Sequence, residues 1–379
     1  MKIISVVGAR PNFIKISPFI NEVNKYNLFA KNKIKHILVH TGQHYDQRMS
    51  KIFFEALNIP KPKINLNIGS GSHSFQVGKT MIEFEKVLIR EKPDWIIVVG
   101  DVNATLSCSI AAKKLNLKVC HLEAGLRSFD ITMPEEINRI ITDRISDLLL
   151  TPDIKSSENL CREGIDRKKI KFIGNIMIDT LLANKDIAEK LSFHEIIKRN
   201  SLNKNKIIDK NFALVTLHRP FNVDDKNILG NLVEFFVDEL SNKFTVLWPL
   251  HPRTHKMLKD YNLLSKLSQN DSINLLHPLN YHEFLKLNMI SKLVITDSGG
   301  LQEECTVLKT PCITLRPNTE RPITLTKNGG ASILVGNDIK KIKIAIDSIF
   351  KKSKKISIPK YWDGKTAKRF LNELLNFKL

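Results

Sequence analysis

Short runs dense in isoleucine, valine and leucine recur along this chain, each about the length of one strand and each followed by a stretch of helical periodicity. IISVVG (3–8), HILVH (36–40), WIIVVG (95–100), KVCHLE (118–123), DLLLTP (147–152) and KFIG (171–174) form a first set, with amphipathic stretches such as 13–26 and 104–116 between them. ALVTLH (213–218), FTVLWP (244–249), INLL (273–276), LVIT (293–296), CITL (312–315) and ASILV (331–335) repeat the pattern. Apolar runs of this kind suit strands covered on both faces, and a helix between successive strands is the crossover that a parallel sheet needs. Because 379 residues exceed one ordinary core, the pattern predicts two Rossmann-like, doubly wound α/β domains facing a cleft. The break is expected just after Gly174, and the Lys- and Asn-rich segment near 196–211 reads as a surface loop.

Composition narrows the function. Apolar residues make up 42% of the chain, and no apolar stretch approaches the ~20 residues of a membrane span, so a soluble protein without membrane insertion is expected. The amino terminus, MKIISVVGARPNF, meets Arg10 and Pro11 where a signal peptide would need a small-residue cleavage site, and reads as a first strand. The five cysteines are odd in number and lack C-x-x-C spacing, which fits a reducing cytoplasm. The formal charge of +20 raises the question of nucleic acid. Its densest cluster, KKIKIAIDSIFKKSKK (340–355), alternates lysines with apolar residues at helical spacing, the mark of an amphipathic surface helix, so no nucleic-acid partner is expected.

Ligands of open α/β sheets bind beyond the carboxyl ends of the strands, and here those ends carry charge. The first strand runs into Gly8-Ala9-Arg10-Pro11-Asn12-Phe13-Ile14-Lys15, where Pro11 suits the first turn of a helix. Neither G-x-G-x-x-G nor G-x-x-x-x-G-K-[ST] is present, so neither a tightly bound NAD nor a P-loop is indicated. Other strand ends supply Gly100-Asp101, HLEAGLR (121–127), LHRP (217–220), LHPR (250–253) and DSGGLQEE (297–304), with MPEEINR (133–139) and TERP (319–322) following. The glycine pair after LVIT predicts a turn into a helix whose first N–H groups can hold a phosphate. His251 and His255 stand four apart, but Pro252 between them and the lack of a third nearby ligand favour structural roles over a metal.

GARPNFIK, TGQHYD, GDVNAT, HLEAGLRS, PEEINR, GN-x-x-ID (174–179), LHRP, DSGGLQEE and TERP together, in this order, resemble the non-hydrolysing UDP-N-acetylglucosamine 2-epimerase family over nearly the whole chain. The resemblance implies a glycosyltransferase-B-like fold with domains 1–174 and 175–360, the UDP-binding one second, and a last helix within 361–379 packing back on the first domain. It implies a UDP-sugar substrate, no bound redox cofactor, no required metal and a homodimer. By the same resemblance Asp101, Glu123 and Glu135 match the catalytic carboxylates, and His218 the functional histidine beside the diphosphate. Ser298, Gly299 and Gly300 match the diphosphate-binding turn, Glu304 the acid that takes the ribose hydroxyls, and Phe284 the aromatic at the uracil. Arg10, Lys15 and Arg321 match cations around the diphosphate.

Each of these residues also has a plainer reading. Asp101 could be a helix N-cap, Glu123 a member of a buried ion pair, Glu135 a partner of the first-turn dipole and Phe284 simply core. The chemistry argues for the sharper one. Carbon 2 of the sugar has no neighbouring carbonyl, so its hydrogen becomes acidic only if UDP first leaves carbon 1, and that route needs a base, an acid on the second face and a cationic pocket. Grouped carboxylates are expected to raise one another's pKa values and so divide these roles.

Two departures from the family pattern bear on substrate and regulation. Gln43 and His44 match an allosteric segment that contacts a second UDP-GlcNAc, but Asp46 stands where a glutamine is usual, which predicts hyperbolic kinetics. GARPNF, GDVNAT and LHRP replace the commoner GTRPE, GDT and GHR forms, as in relatives acting on other UDP-2-acetamido sugars, including diacetamido uronic acids. A UDP-sugar glycosyltransferase of the same fold is the remaining alternative.

Overall fold

The structure, a computed structural model, describes residues 1–42, 60–202, 211–351 and 355–377; Gln43, His44 and Asp46 and the Arg10 side chain lie outside the described residues. Two compact units divide the chain, Met1–Ala183 with Lys360–Leu379 and Asn184–Pro359. The first changeover therefore falls within the helix Ile176–Glu189 that follows Gly174.

In the first unit β1 (Lys2–Val7), β2 (Lys35–His40), β3 (Ile64–Asn65), β4 (Trp95–Val99), β5 (Lys118–Leu122), β6 (Leu148–Thr151) and β7 (Ile170–Phe172) build one parallel sheet. Its order is β3-β2-β1-β4-β5-β6-β7. β4 is buried along its full length, as an all-apolar WIIVV requires of a central strand. β3 has no counterpart among the runs picked out from the sequence, because two residues at a sheet edge are too short to show a period.

The second unit repeats the arrangement with β8 (Phe212–Thr216), β9 (Thr245–Pro249), β10 (Ile273–Leu276), β11 (Leu293–Thr296), β12 (Cys312–Thr314) and β13 (Ser332–Leu334). All are parallel, in the order β10-β9-β8-β11-β12-β13. Trp248, Phe212 and Phe236 lie fully buried in its core. The helix Ile339–Lys351 lays Ile342, Ala345 and Ile346 on that core and leaves its lysines outside, as its periodicity predicts. In both sheets the strand order reverses beside the first strand, at β1/β4 and at β8/β11. There the two adjoining loops leave in opposite directions and open a crevice.

The segment near 196–211 is not a loop throughout. The helix Phe193–Asn200 runs into it and ends there, with the Ser192 hydroxyl accepting from Glu195 N–H and Phe193, Ile196 and Ile197 buried. Its lysines and asparagines masked a short apolar stripe.

The last helix, Thr366–Leu375, packs on the helix Arg10–Phe29, where the Phe19 and Phe370 rings stack with centroids 4.1 Å apart. Both rings are fully buried. Asp179, the end of the GN-x-x-ID motif, caps this helix by accepting from Thr366 N–H at 3.1 Å and Ala367 N–H at 2.7 Å. Gly174, at the motif's start, has φ +95°, and a Cβ there would strike the Tyr361 backbone. A motif that sequence alone presents as functional is thus built to anchor the carboxyl terminus to the first unit.

Candidate active site

At the β1/β4 switch the turn Gly8-Ala9 leads into the helix Arg10–Phe29, of which Arg10 is the first residue and Pro11 the second. Buried Asn12 ties this turn to its neighbour: its Oδ1 accepts from Gly8 and Ala9 N–H, both at 3.0 Å, and its Nδ2 donates to Val99 O at 3.1 Å. Lys15, one turn on, is buried and forms an ion pair with Glu123, the residue just past β5. Asn12, Lys15 and Glu123 meet over Gly100. Glu123 itself has φ +77°, a left-handed backbone that a side-chain-bearing residue adopts only where its surroundings force it. The expected diphosphate cation and the expected catalytic carboxylate are therefore partners, in keeping with the buried-pair reading of Glu123.

Asp101 does not cap a helix. The N-cap of Asn103–Lys114 is Val102, and the Asp101 carboxylate takes Arg139 Nη2 at 2.5 Å and Nε at 3.1 Å instead. Buried Arg139 also donates to Glu136 at 2.6 Å, and Glu136 accepts from Ser128 and Phe129 N–H at 3.0 and 2.9 Å. Asn138 Nδ2 donates to Asp101 O at 2.8 Å. PEEINR is thus a clamp as well as a source of carboxylate: its first helical turn presents half-buried Glu135, and its next residues hold the Asp101 turn. Asp101 and Glu123 each sit against a cation, Arg139 and Lys15.

At the β8/β11 switch Leu217-His218-Arg219 follows β8 and Asp297-Ser298-Gly299 follows β11. Asp297 is fully buried and organises the site: it accepts from His218 N–H at 3.0 Å, Arg219 N–H at 2.9 Å, Asn222 Nδ2 at 3.2 Å and His218 Nδ1 at 2.9 Å. Burial pushes its carboxyl up, but the His218 ring and the two N–H groups outweigh burial and hold it below the ordinary carboxylate value. An ionised partner on Nδ1 sets the tautomer of His218 and leaves Nε2 on the open side of a one-third-exposed ring. Sequence reading passed over Asp297, though its place one residue before the glycine turn is the available signal.

Ser298 is the N-cap of the helix Gly299–Leu308, so the expected strand, glycine turn and helix are present. A Cβ on Gly299 would meet Arg321 Nη1 at 2.8 Å and Glu320 Oε1 at 2.9 Å, which is why the turn can lie this close to the arginines. Arg321 pairs with Glu320, and its Nε stands 2.8 Å from Glu303. Arg316 binds the far oxygen of Glu320 at 2.8 Å. Two arginines and two glutamates form one buried, balanced cluster, which sequence reading reduced to a single cation.

Glu304 lies against Tyr281 and Asn288 of the helix Tyr281–Ile290. Burial first, then the charge of Glu303, push its carboxyl up to about 7. Phe284, on the same helix, is partly buried against the apolar cluster of Phe193, Leu214 and Leu301. His251 caps the helix Pro252–Asp260 by accepting from Arg253 N–H at 3.2 Å, a structural role.

A family model for UDP-N-acetylglucosamine 2-epimerase matches residues 27–375. The UDP-N-acetylglucosamine 2-epimerase of Methanocaldococcus jannaschii is 46% identical over 378 residues, covering 99% of each chain. The UDP-2,3-diacetamido-2,3-dideoxy-D-glucuronate 2-epimerase of Pseudomonas aeruginosa is 40% identical over 338 residues, covering 89% of this chain and 88% of its own. The crystal structure of the M. jannaschii enzyme in complex with UDP-GlcNAc and UDP superposes with a TM-score of 0.88 at 44% identity, covering 100% of both chains. Two parallel-sheet α/β units and this superposition establish the glycosyltransferase-B-like fold. By sequence and by structure, the chain belongs to the UDP-N-acetylglucosamine 2-epimerase family.

Proposed function

We propose that the protein epimerises UDP-N-acetylglucosamine at carbon 2, giving UDP-N-acetylmannosamine reversibly. The observation that carries this reading is the division of chemistry between the switch points: a helix N-terminus with an Asp-oriented histidine on one sheet, and cation-paired carboxylates on the other. The diphosphate is assigned to Ser298, Gly299 and Gly300 with His218, Arg321, Arg10 and Lys15, the ribose hydroxyls to Glu304 and the uracil to Phe284. N–H groups at a helix start favour an anion, and a carboxylate accepts from two adjacent hydroxyls.

The reaction assigned to Asp101, Glu123 and Glu135 is an elimination and its reverse. One carboxylate takes the proton from carbon 2 while the electron pair of that C–H bond forms the C1=C2 double bond and the C1–O bond breaks, releasing UDP. A second carboxyl then delivers a proton to the opposite face of the 2-acetamidoglucal as UDP re-adds at carbon 1. Leaving-group charge is met by the helix N-terminus and His218. We also propose that the product supplies precursors for surface polysaccharide.

Incubation with UDP-GlcNAc in D₂O without any acceptor tests this. We expect UDP-ManNAc carrying deuterium at C2, and an ¹⁸O label in the C1–O bridge scrambling into the diphosphate. Deuterium uptake with the bridging label wholly retained overturns elimination, and transfer that requires an acceptor points to a glycosyltransferase. The P. aeruginosa relative favours a second reading, the same epimerisation on a UDP-2,3-diacetamido uronic acid, which the same assay distinguishes when that sugar is supplied. We also propose a homodimer, since Ile137, Ile140 and Ile141 line an exposed stripe of the helix Pro134–Ile145, with Phe129 and Ile131 exposed just before it.

A further inference from the structure

His121, the H of HLEAGLR, is fully buried in β5, and both of its ring nitrogens face acceptors. Nε2 is 2.8 Å from the Gly100 carbonyl oxygen, and Nδ1 is 2.6 Å from Asp143 Oδ1. A carbonyl oxygen has no proton to give. Asp143 has none either: its Oδ2 already accepts from Gly125 N–H at 3.1 Å and from Arg127 Nη1 at 2.7 Å. Burial pushes that carboxyl up, yet His121 and Arg127 outweigh it and keep it below the ordinary carboxylate range. Two acceptors that cannot donate require two ring donors.

The surrounding charges support a cation there. Arg127 is held by both oxygens of Glu163, each at 2.7 Å, so one imidazolium and one guanidinium are matched by two carboxylates. Glu163 reaches solvent, so the buried carboxylate that the His121 ring and the Arg127 guanidinium share is Asp143. The groups that face this cluster are Asp143 from the helix Pro134–Ile145, Arg127 from the turn after β5 and Glu163 beyond the helix Ile154–Arg162, while Lys15 and Glu123 lie over Gly100 on the other side.

Its connections show what this cation does. Gly100 precedes Asp101, Gly125 closes the turn that begins at Glu123, and Asp143 lies on the helix whose first turn bears Glu135. We infer that His121 is a positioning residue, protonated on both ring nitrogens, that locks together the three segments carrying Asp101, Glu123 and Glu135. It touches none of the reacting atoms. The inference rests on the proposed assignment of those carboxylates for its effect on turnover, but not for its charge state.

The test has two arms. In the wild-type protein with ¹⁵N-labelled histidine, the His121 ring, identified by slowly exchanging N–H protons, should show both nitrogens protonated near neutral pH. In kinetics, His121→Gln, which can donate to only one of the two acceptors, should lose about 10–100-fold in kcat, while KM for UDP-GlcNAc and calorimetric UDP affinity stay close to wild type. A general structural defect would lower UDP affinity as well, and the nuclear magnetic resonance arm needs no variant at all. One unprotonated ring nitrogen in the wild-type protein, or unchanged kcat in a folded His121→Gln, overturns the inference. Two protonated nitrogens in a protein that epimerises no UDP-2-acetamido sugar would instead sink the proposed function and leave the charge state of His121 standing.

Discussion

Replacing Glu304 by glutamine removes one buried titrating group with almost no change of shape, so its consequences can be worked from the structure. In the fold this carboxyl is pushed from 4.5 to about 7, by burial and then by Glu303, with Tyr281 and Asn288 pulling the other way. A raised acid binds its proton more tightly folded than unfolded. Its stabilising contribution is therefore full below the unfolded value and is lost as pH rises through the folded one. That interval, 4.5 to about 7, converts to about 3 kcal/mol. Glutamine titrates nowhere in this window, so Glu304→Gln should gain about 2–3 kcal/mol relative to wild type as pH is raised across it. Urea unfolding followed by circular dichroism at closely spaced pH values measures both curves. Parallel curves would show that Glu304 is not strained by ionisation. The same group should couple to ligand, since ribose hydroxyls donate to the ionised form. UDP binding on the acid side of the folded value should then release a proton from Glu304, read by calorimetry in two buffers of different ionisation heat, and Glu304→Gln should release correspondingly less, the terminal phosphate of UDP accounting for what remains. Equal proton release by wild type and Glu304→Gln would remove Glu304 from the ribose.

Asp297→Ala should lower kcat at least about tenfold and cost about 2–4 kcal/mol, because it frees the His218 ring and leaves two part-buried N–H groups without their acceptor; unchanged turnover would show that His218 needs no orientation. Since the Asp297 carboxyl is held below its ordinary value, the stability it confers is present above that value and should fade as the solution is acidified through the folded one. Phe370→Ala should cost about 3–5 kcal/mol in calorimetric unfolding while leaving UDP affinity intact, as it empties the stacked contact with Phe19. A loss of UDP affinity on that substitution would mean that the last helix does more than anchor the chain.

The sequence alone determined the fold class and most of the strands, because apolar runs record burial and a strand buried on both faces is apolar throughout. Motif order alone carried the family, down to the glycine turn at Ser298. Two residues of edge strand and a short helix under a lysine-rich stretch left too little period to read. The tertiary structure decided partnership. Nothing in the local pattern tells that Lys15 closes on Glu123, Arg139 on Asp101, or His121 on Gly100 and Asp143, since each pair lies on segments far apart in the chain. Periodicity encodes which face of an element is buried, whereas an ion pair depends on which two strand ends the sheet order brings side by side. The crossover order places β4 between β1 and β5, and that placement brings Lys15, expected at a phosphate, against the Glu123 carboxylate.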